Sequence, residues 1–216
     1  MKTLQFCWLG LVGMVATACV SAGPAMWQAP SAANANRLPP LEAVTDMGEL
    51  YLTDGTQPDQ LLQLFRSELH GNLTETVGPD KFGYARLQVT QAAVRRTSRA
   101  LTTLQLATLL TPSLFGVPLE TYRTTLTAQL QILDAEGKLL GEYEGLGVSR
   151  VQVAMFSGYS QRTAPALSDA NALRVALAQI RAQVDTAAGR LRPRLLAGGV
   201  VLPAEPAAAP SVATKQ

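Results

Sequence analysis

Residues 121–133 alternate between apolar and polar side chains. Leu126, Ala128, Leu130 and Ile132 fall on one face, and Arg123, Thr125, Thr127, Gln129 and Gln131 on the other. A period of two over this length predicts a half-buried strand. Asp134-Ala135-Glu136-Gly137 follows with turn chemistry, including a glycine for positive φ. The spacing predicts a hairpin in which Leu133 faces Lys138, Ile132 faces Leu139, Leu130 faces Gly141, Ala128 faces Tyr143 and Leu126 faces Gly145. Gln129 and Thr127 then meet Glu142 and Glu144 on the solvent side. Glycines opposite leucines leave room for a helix on the inner face, and Val148, Val151 and Val153 extend the second strand.

Other elements surround this hairpin. Phe82 to about Thr97 predicts a long strand, with Ala85, Leu87 and Val89 facing inward; Val94 is out of phase, so a bulge is expected near Gln91–Ala93. Met47–Thr53 predicts a short strand ended by Asp54-Gly55. Pro58 to His70 predicts a helix with an apolar stripe of Leu61, Leu62, Phe65 and Leu69, closed by Gly71-Asn72. Ser168 is the expected cap of a second helix, Asp169 to about Ala188. Asp169 is its first-turn acid, and Leu173, Leu177, Ile180 and Val184 form its stripe. Leu101–Leu119 carries no charge but contains Pro112 and Pro118. It reads as a buried helix in its first half or as an apolar contact loop, and the prolines and threonines disfavour a membrane span. The expected fold class is α+β: a mainly antiparallel sheet with two amphipathic helices packed on one face.

Composition narrows the function classes. In 216 residues, 47% are hydrophobic and 16% charged, which excludes a charge-rich disordered chain. A formal net charge of +2 supplies no long-range field for nucleic acid, and none is expected as a partner. With two Cys and one His, a zinc site of the usual kind is not expected, nor is any other metal or cofactor.

Residues 1–18 begin with Lys2, continue through an apolar run from Phe6 to Val15 that is too short to span a bilayer, and end in small residues. This is the pattern of a secretory signal. The stretch Ala16-Thr17-Ala18-Cys19 resembles the lipobox of bacterial lipoprotein precursors. The resemblance implies cleavage before Cys19 and acylation of its thiol. Val20 after the cysteine is similar to the pattern sorted to the outer membrane. A plain signal peptide, cut after Ala18 or Ala22, is the alternative. With Cys7 removed in the leader, Cys19 is the one mature cysteine, and acylation would occupy a thiol otherwise exposed in an oxidising compartment. The expected organisation is therefore a signal at 1–18, a lipidated N-terminus and flexible tether at 19–40, a folded domain at 41–195 and a disordered tail at 196–216.

The remaining candidates for chemistry read as structural. His70 sits at a helix C-terminus, where the dipole favours a cation. Glu142 and Glu144 alternate on a solvent-facing strand, and Gly141–Gly147 lacks the strand-to-helix context of a phosphate loop. Arg95, Arg96 and Arg99 form a small basic patch suited to anionic headgroups or simply to solvent. The segment from Ile132 to Gly141, followed by a glycine-containing strand and an Ala-rich helix, resembles periplasmic accessory lipoproteins of the curli-secretion and penicillin-binding-protein-activator type. That resemblance implies no activity and no functional residue beyond Cys19. The expected function is a non-enzymatic, membrane-anchored binding or assembly factor of the envelope. It would meet a protein partner through a sheet edge or through Leu109, Leu114 and Phe115. Carriage of an apolar ligand between sheet and helix is the alternative, and a hydrolase is ranked below both.

Overall fold

The alternation over 121–133 is realised in a computed structural model that describes residues 27–31, 35–53, 55–75, 80–96, 103, 107, 118–153 and 159–201. Four strands, β1 (Glu42–Asp46), β2 (Tyr84–Arg96), β3 (Glu120–Leu133) and β4 (Leu139–Val153), form one mixed sheet in the order β1-β2-β3-β4. Two helices, α1 (Pro58–Glu68) and α2 (Ala164–Ala197), pack on one face of it, which makes the fold α+β. β1 runs parallel to β2, and the other pairs are antiparallel. A parallel pair needs a crossover, and α1 supplies it.

The hairpin keeps its expected faces but not its expected register. Ile132 pairs with Gly141, Leu130 with Tyr143, Ala128 with Gly145 and Leu126 with Gly147, a slip of two residues. Two causes add. Asp134 N–H bonds to Lys138 O at 3.0 Å, and Asp134 Oδ1 accepts from the N–H groups of Glu136 (3.0 Å) and Lys138 (2.8 Å). This tightens the turn to three residues, with Gly137 at φ 82°. An irregularity between Ile132 and Leu133 then leaves Leu140 without an opposite partner. A slip of two preserves side-chain alternation, so Leu126, Ala128, Leu130 and Ile132 remain buried.

The expected room beside the glycines is filled by α2. A Cβ on Gly147 would lie 1.9 Å from Ala172 O, and one on Gly145 would lie 2.3 Å from Ala176 O. Helix backbone therefore rests directly on strand backbone, and no space for an apolar ligand is left there. Leu173, Leu177, Ile180 and Val184 are buried as expected, each contributing roughly 1.5–3 kcal/mol before ordering costs. The stripe continues through Leu191 and Leu195, and the helix runs on to Ala197 through Pro193 rather than stopping near Ala188. Burial of two further leucines outweighs one missing backbone donor.

Three further expectations are corrected. Met47–Thr53 is not a strand: Gly48–Leu52 forms a 3₁₀ turn, and the strand, β1, lies just before it. The bulge in β2 falls between Val89 and Gln91, slightly ahead of its expected place. Residues 27–31 and 35–40 are not a free tether. Trp27 and Leu38 enter the core, Leu38 bridges to Thr74, and Ala29 N–H donates to Ser67 Oγ at 2.7 Å. Asn36 N–H reaches Asp185 Oδ1 (3.2 Å), so this strap crosses from α1 onto α2. Beyond α2, Val201 N–H bonds to Lys81 O (2.7 Å), so the chain stays docked past its expected end at residue 195.

Gly147→Ala is expected to lower stability by about 2–3 kcal/mol through backbone overlap. Gly189→Ala, on α2 with no atom near its added Cβ, should raise it by about 0.5–1 kcal/mol. Urea unfolding of both variants checks the pair, and equal effects would contradict the packing described.

Candidate functional site: a cleft at the open edge of β2

β1 ends opposite Gln88, while β2 continues to Arg96. Beside this overhang lies a cleft of about 530 Å³, lined by Glu49, Leu52, Thr53, Gly55, Ala92, Val94, Arg96, Tyr122, Pro165 and Asp169. The 3₁₀ turn forms one wall, the end of the sheet another, and the first turns of α2 the floor. The exposed Leu52, together with Val94 and Pro165, makes the lining substantially apolar.

Asp169 sits at the base. The sequence places it in the first turn of a helix capped by Ser168. The structure starts α2 at Ala164, with Pro165 in its first turn, so Ser168 and Asp169 lie inside the helix and face the sheet. Both are buried, Asp169 with 1% exposure. Thr124 Oγ1 donates to Asp169 Oδ1 at 2.8 Å, and Thr53 and Thr56 hydroxyls donate to Oδ2 at 3.2 and 3.3 Å. Ser149 Oγ donates to Ser168 O at 2.6 Å, extending the polar cluster across to β4. Burial pushes the Asp169 carboxyl above the usual range, and the three hydroxyl donors offset this only in part.

An ion pair forms the outer wall. Arg96 grips Glu120 with both Nη2 (2.5 Å) and Nε (3.2 Å), Tyr122 Oη donates to Glu120 Oε2 (3.0 Å), and the guanidinium lies 5.5 Å from the Tyr122 ring centroid. Hydrogen bonding to Glu120 holds Arg96 still more firmly protonated, while burial, then the Glu120 contact, raises Tyr122. A bidentate pair of this kind fixes geometry as well as charge.

The two sheet edges differ. Among the described residues no further strand pairs with the outer side of β4, yet Gln179 accepts from Leu146 N–H (3.0 Å) and donates to Leu146 O (2.9 Å), and Gln183 donates to Glu144 O (2.7 Å). At Glu144 and Leu146, helix side chains thus occupy ladder positions that another strand would take. On β2, Ala92 N–H turns away from β3 to Glu49 Oε2 at 3.0 Å. Alternation turns the N–H groups of Val94 and Arg96 the same way, and no strand among the described residues pairs with them.

The other sequence candidates fall elsewhere. His70 lies in a π-helical turn, Leu69–Leu73, near Lys81 and Glu42 at the far end of β2; burial and the Lys81 charge lower its pKa. Glu142 and Glu144 are exposed, with Gln129 donating to Glu142. Gly141–Gly147 lies within β4. Cys19, Arg99, Leu109, Leu114 and Phe115 lie outside the described residues. Among the described residues, no helix is long and apolar enough to cross a membrane, and no cluster of three or more acidic, Cys or His side chains is suited to a metal. Sequence reading missed the cleft, although Pro165 as a helix-start signal and the threonines at 53, 56 and 124 were its visible traces. The chain matches no protein family, and no curated protein or solved structure is significantly similar to it.

A raised carboxyl pKa gives a signed expectation. Its contribution is fully present below the unfolded value, about 3.9, and is lost as pH rises through the folded one. Asp169→Asn should therefore flatten the decline in stability as pH rises above the unfolded carboxyl value. Urea midpoints at stepped pH test this, and parallel profiles for the two proteins would contradict it.

Proposed function

We propose that this protein is a lipid-anchored bacterial envelope protein, tethered through Cys19, that acts as a non-enzymatic binding or assembly factor. Its folded body takes an extended segment of an envelope protein partner as an added strand along β2. The observation that carries the binding role is the contrast at the two edges: glutamines of α2 occupy β4 at Glu144 and Leu146, while among the described residues no strand meets the outward N–H groups of Val94 and Arg96 beside an apolar-walled cleft. Strand addition draws affinity from main-chain hydrogen bonds and specificity from alternate side chains. The cleft offers a pocket for one such side chain between Leu52, Val94 and Pro165. The anchor rests on the lipobox-like Ala16–Cys19, and Leu109, Leu114 and Phe115, in the connection from β2 to β3, are a second proposed contact.

Two experiments test this reading. Intact-mass analysis of protein extracted from membranes should show residues 1–18 removed and Cys19 acylated; an unmodified thiol refutes the anchor. A photo-cross-linker at Leu52 should trap an envelope protein in intact cells. Val94→Pro, which removes an outward N–H without touching the β2–β3 ladder, should cut that adduct at least about tenfold while the fold persists, the energetic equivalent of one or two lost hydrogen bonds. An adduct indifferent to Val94→Pro contradicts strand addition.

A further inference from the structure

Arg95 on β2, Arg123 on β3 and Arg150 on β4 are directly opposite one another in the ladder. In sequence only Arg95 belonged to a visible basic patch, with Arg96 and Arg99. The structure divides that patch: Arg96 turns into the cleft and pairs with Glu120, while Arg95 joins two arginines from distant parts of the chain. All three are exposed. Residues directly opposite share a face, and this face is the one without helices, since the neighbouring Thr124 and Ser149 point into the core.

The row has no counter-charge among the described residues. Arg86, Arg96, Arg181 and Arg192 each pair with a carboxylate, whereas Arg95, Arg123 and Arg150 pair with none. Their same-face neighbours Ala93, Thr125, Val148 and Gln152 are uncharged. Like charges opposite each other on adjacent strands repel, so the row opposes the fold unless an anion occupies it. With strands about 4.8 Å apart, three guanidinium groups span roughly 10 Å. Their planar donors suit phosphate oxygens.

We propose that this row binds the phosphates of anionic lipid at a bilayer surface. Position favours lipid over an acidic protein. Trp27 is packed in the core, and Gln28 O accepts from Arg174 on the half of α2 that covers the arginine-bearing half of β4. From Cys19 to Trp27 the chain reaches at most roughly 30 Å, so an acylated Cys19 would hold this end of the molecule near its membrane. The charge-free stretch Leu101–Leu119 connects β2 to β3 at the same end. The choice of lipid rests on the anchored reading; the row itself does not.

The test uses the full chain in a Cys19→Ser background, so that no acyl group contributes. Binding to phosphatidylcholine vesicles is compared with binding to vesicles that also contain phosphatidylglycerol, at concentrations where neutral vesicles bind less than half the protein. Anionic lipid should increase binding, the increase should fall with salt, and each of Arg95→Gln, Arg123→Gln and Arg150→Gln should reduce affinity about fivefold. Arg190→Gln with Arg194→Gln, exposed at the other end of α2, should leave the increase unchanged. The triple variant should melt no lower than its parent. Undiminished binding by the triple variant, equal loss in the distal control, a lowered Tm, or capture of polyglutamate in preference to the anionic vesicles would each overturn the proposal. Intact mass at Cys19 reports on the anchor separately.

Discussion

The backbone of α2 lies against the backbone of β4 at Gly145 and Gly147, and most of the molecule's asymmetry follows from that contact. Side chains at these two positions would hold the helix away from the sheet. Their absence lets Ser168 and Asp169 reach Thr124 and Ser149, which ties the start of the helix to β3 and β4 through hydroxyl bonds rather than apolar packing. The same approach brings Gln179 and Gln183 level with the outer edge of β4, where their amides meet strand backbone groups. One close approach therefore sets the core, covers one edge at Glu144 and Leu146 and positions the cleft floor.

A carboxylate buried without a cation is costly to keep ionised. Glu68 meets that cost with Arg181 Nη1 at 3.0 Å and Asn72 Nδ2 at 2.7 Å, and Asn72 also donates to Pro30 O, stitching the strap to α1. Among the described residues, the donors to Asp169 are all neutral. The difference fits their positions: Glu68 lies where strap, α1 and α2 converge, whereas Asp169 lines a cleft. Burial raises the pKa of both groups, so the fold favours the protonated form of each relative to the unfolded chain.

Much of the architecture was legible because period-two and helical stripes depend on local sequence. The inner faces of β2 and β3, the turn at Asp134–Gly137 and the stripe Leu173–Val184 all follow from it. Register was not legible, because an irregularity next to a three-residue turn leaves alternation intact while moving the partners of Ile132 and the residues before it by two. The start of α2 was misread because Ser168 and Asp169 have cap chemistry that serves equally well inside a buried polar cluster. The strap was misread because Ala-, Pro- and Asn-rich sequence looks solvated until Trp27 and Leu38 find a groove. The cleft and the arginine row depend on pairings between distant segments, and no local pattern encodes those.

The cleft and the arginine row lie on opposite faces of the same overhanging end of the sheet. A strand added along β2 would send alternate side chains into the cleft and onto the outer face, there directly beside Arg95. The two surfaces would then share one structural element, the stretch of β2 beyond its bulge, held on one side by β3 and, among the described residues, on the other by Glu49 at Ala92. An occupant of the edge would stiffen the strand that carries Arg95, and an anion on the row would relieve repulsion across β2, β3 and β4. Each occupant would favour the same ordered sheet end, which is the condition for positive coupling without a change of fold.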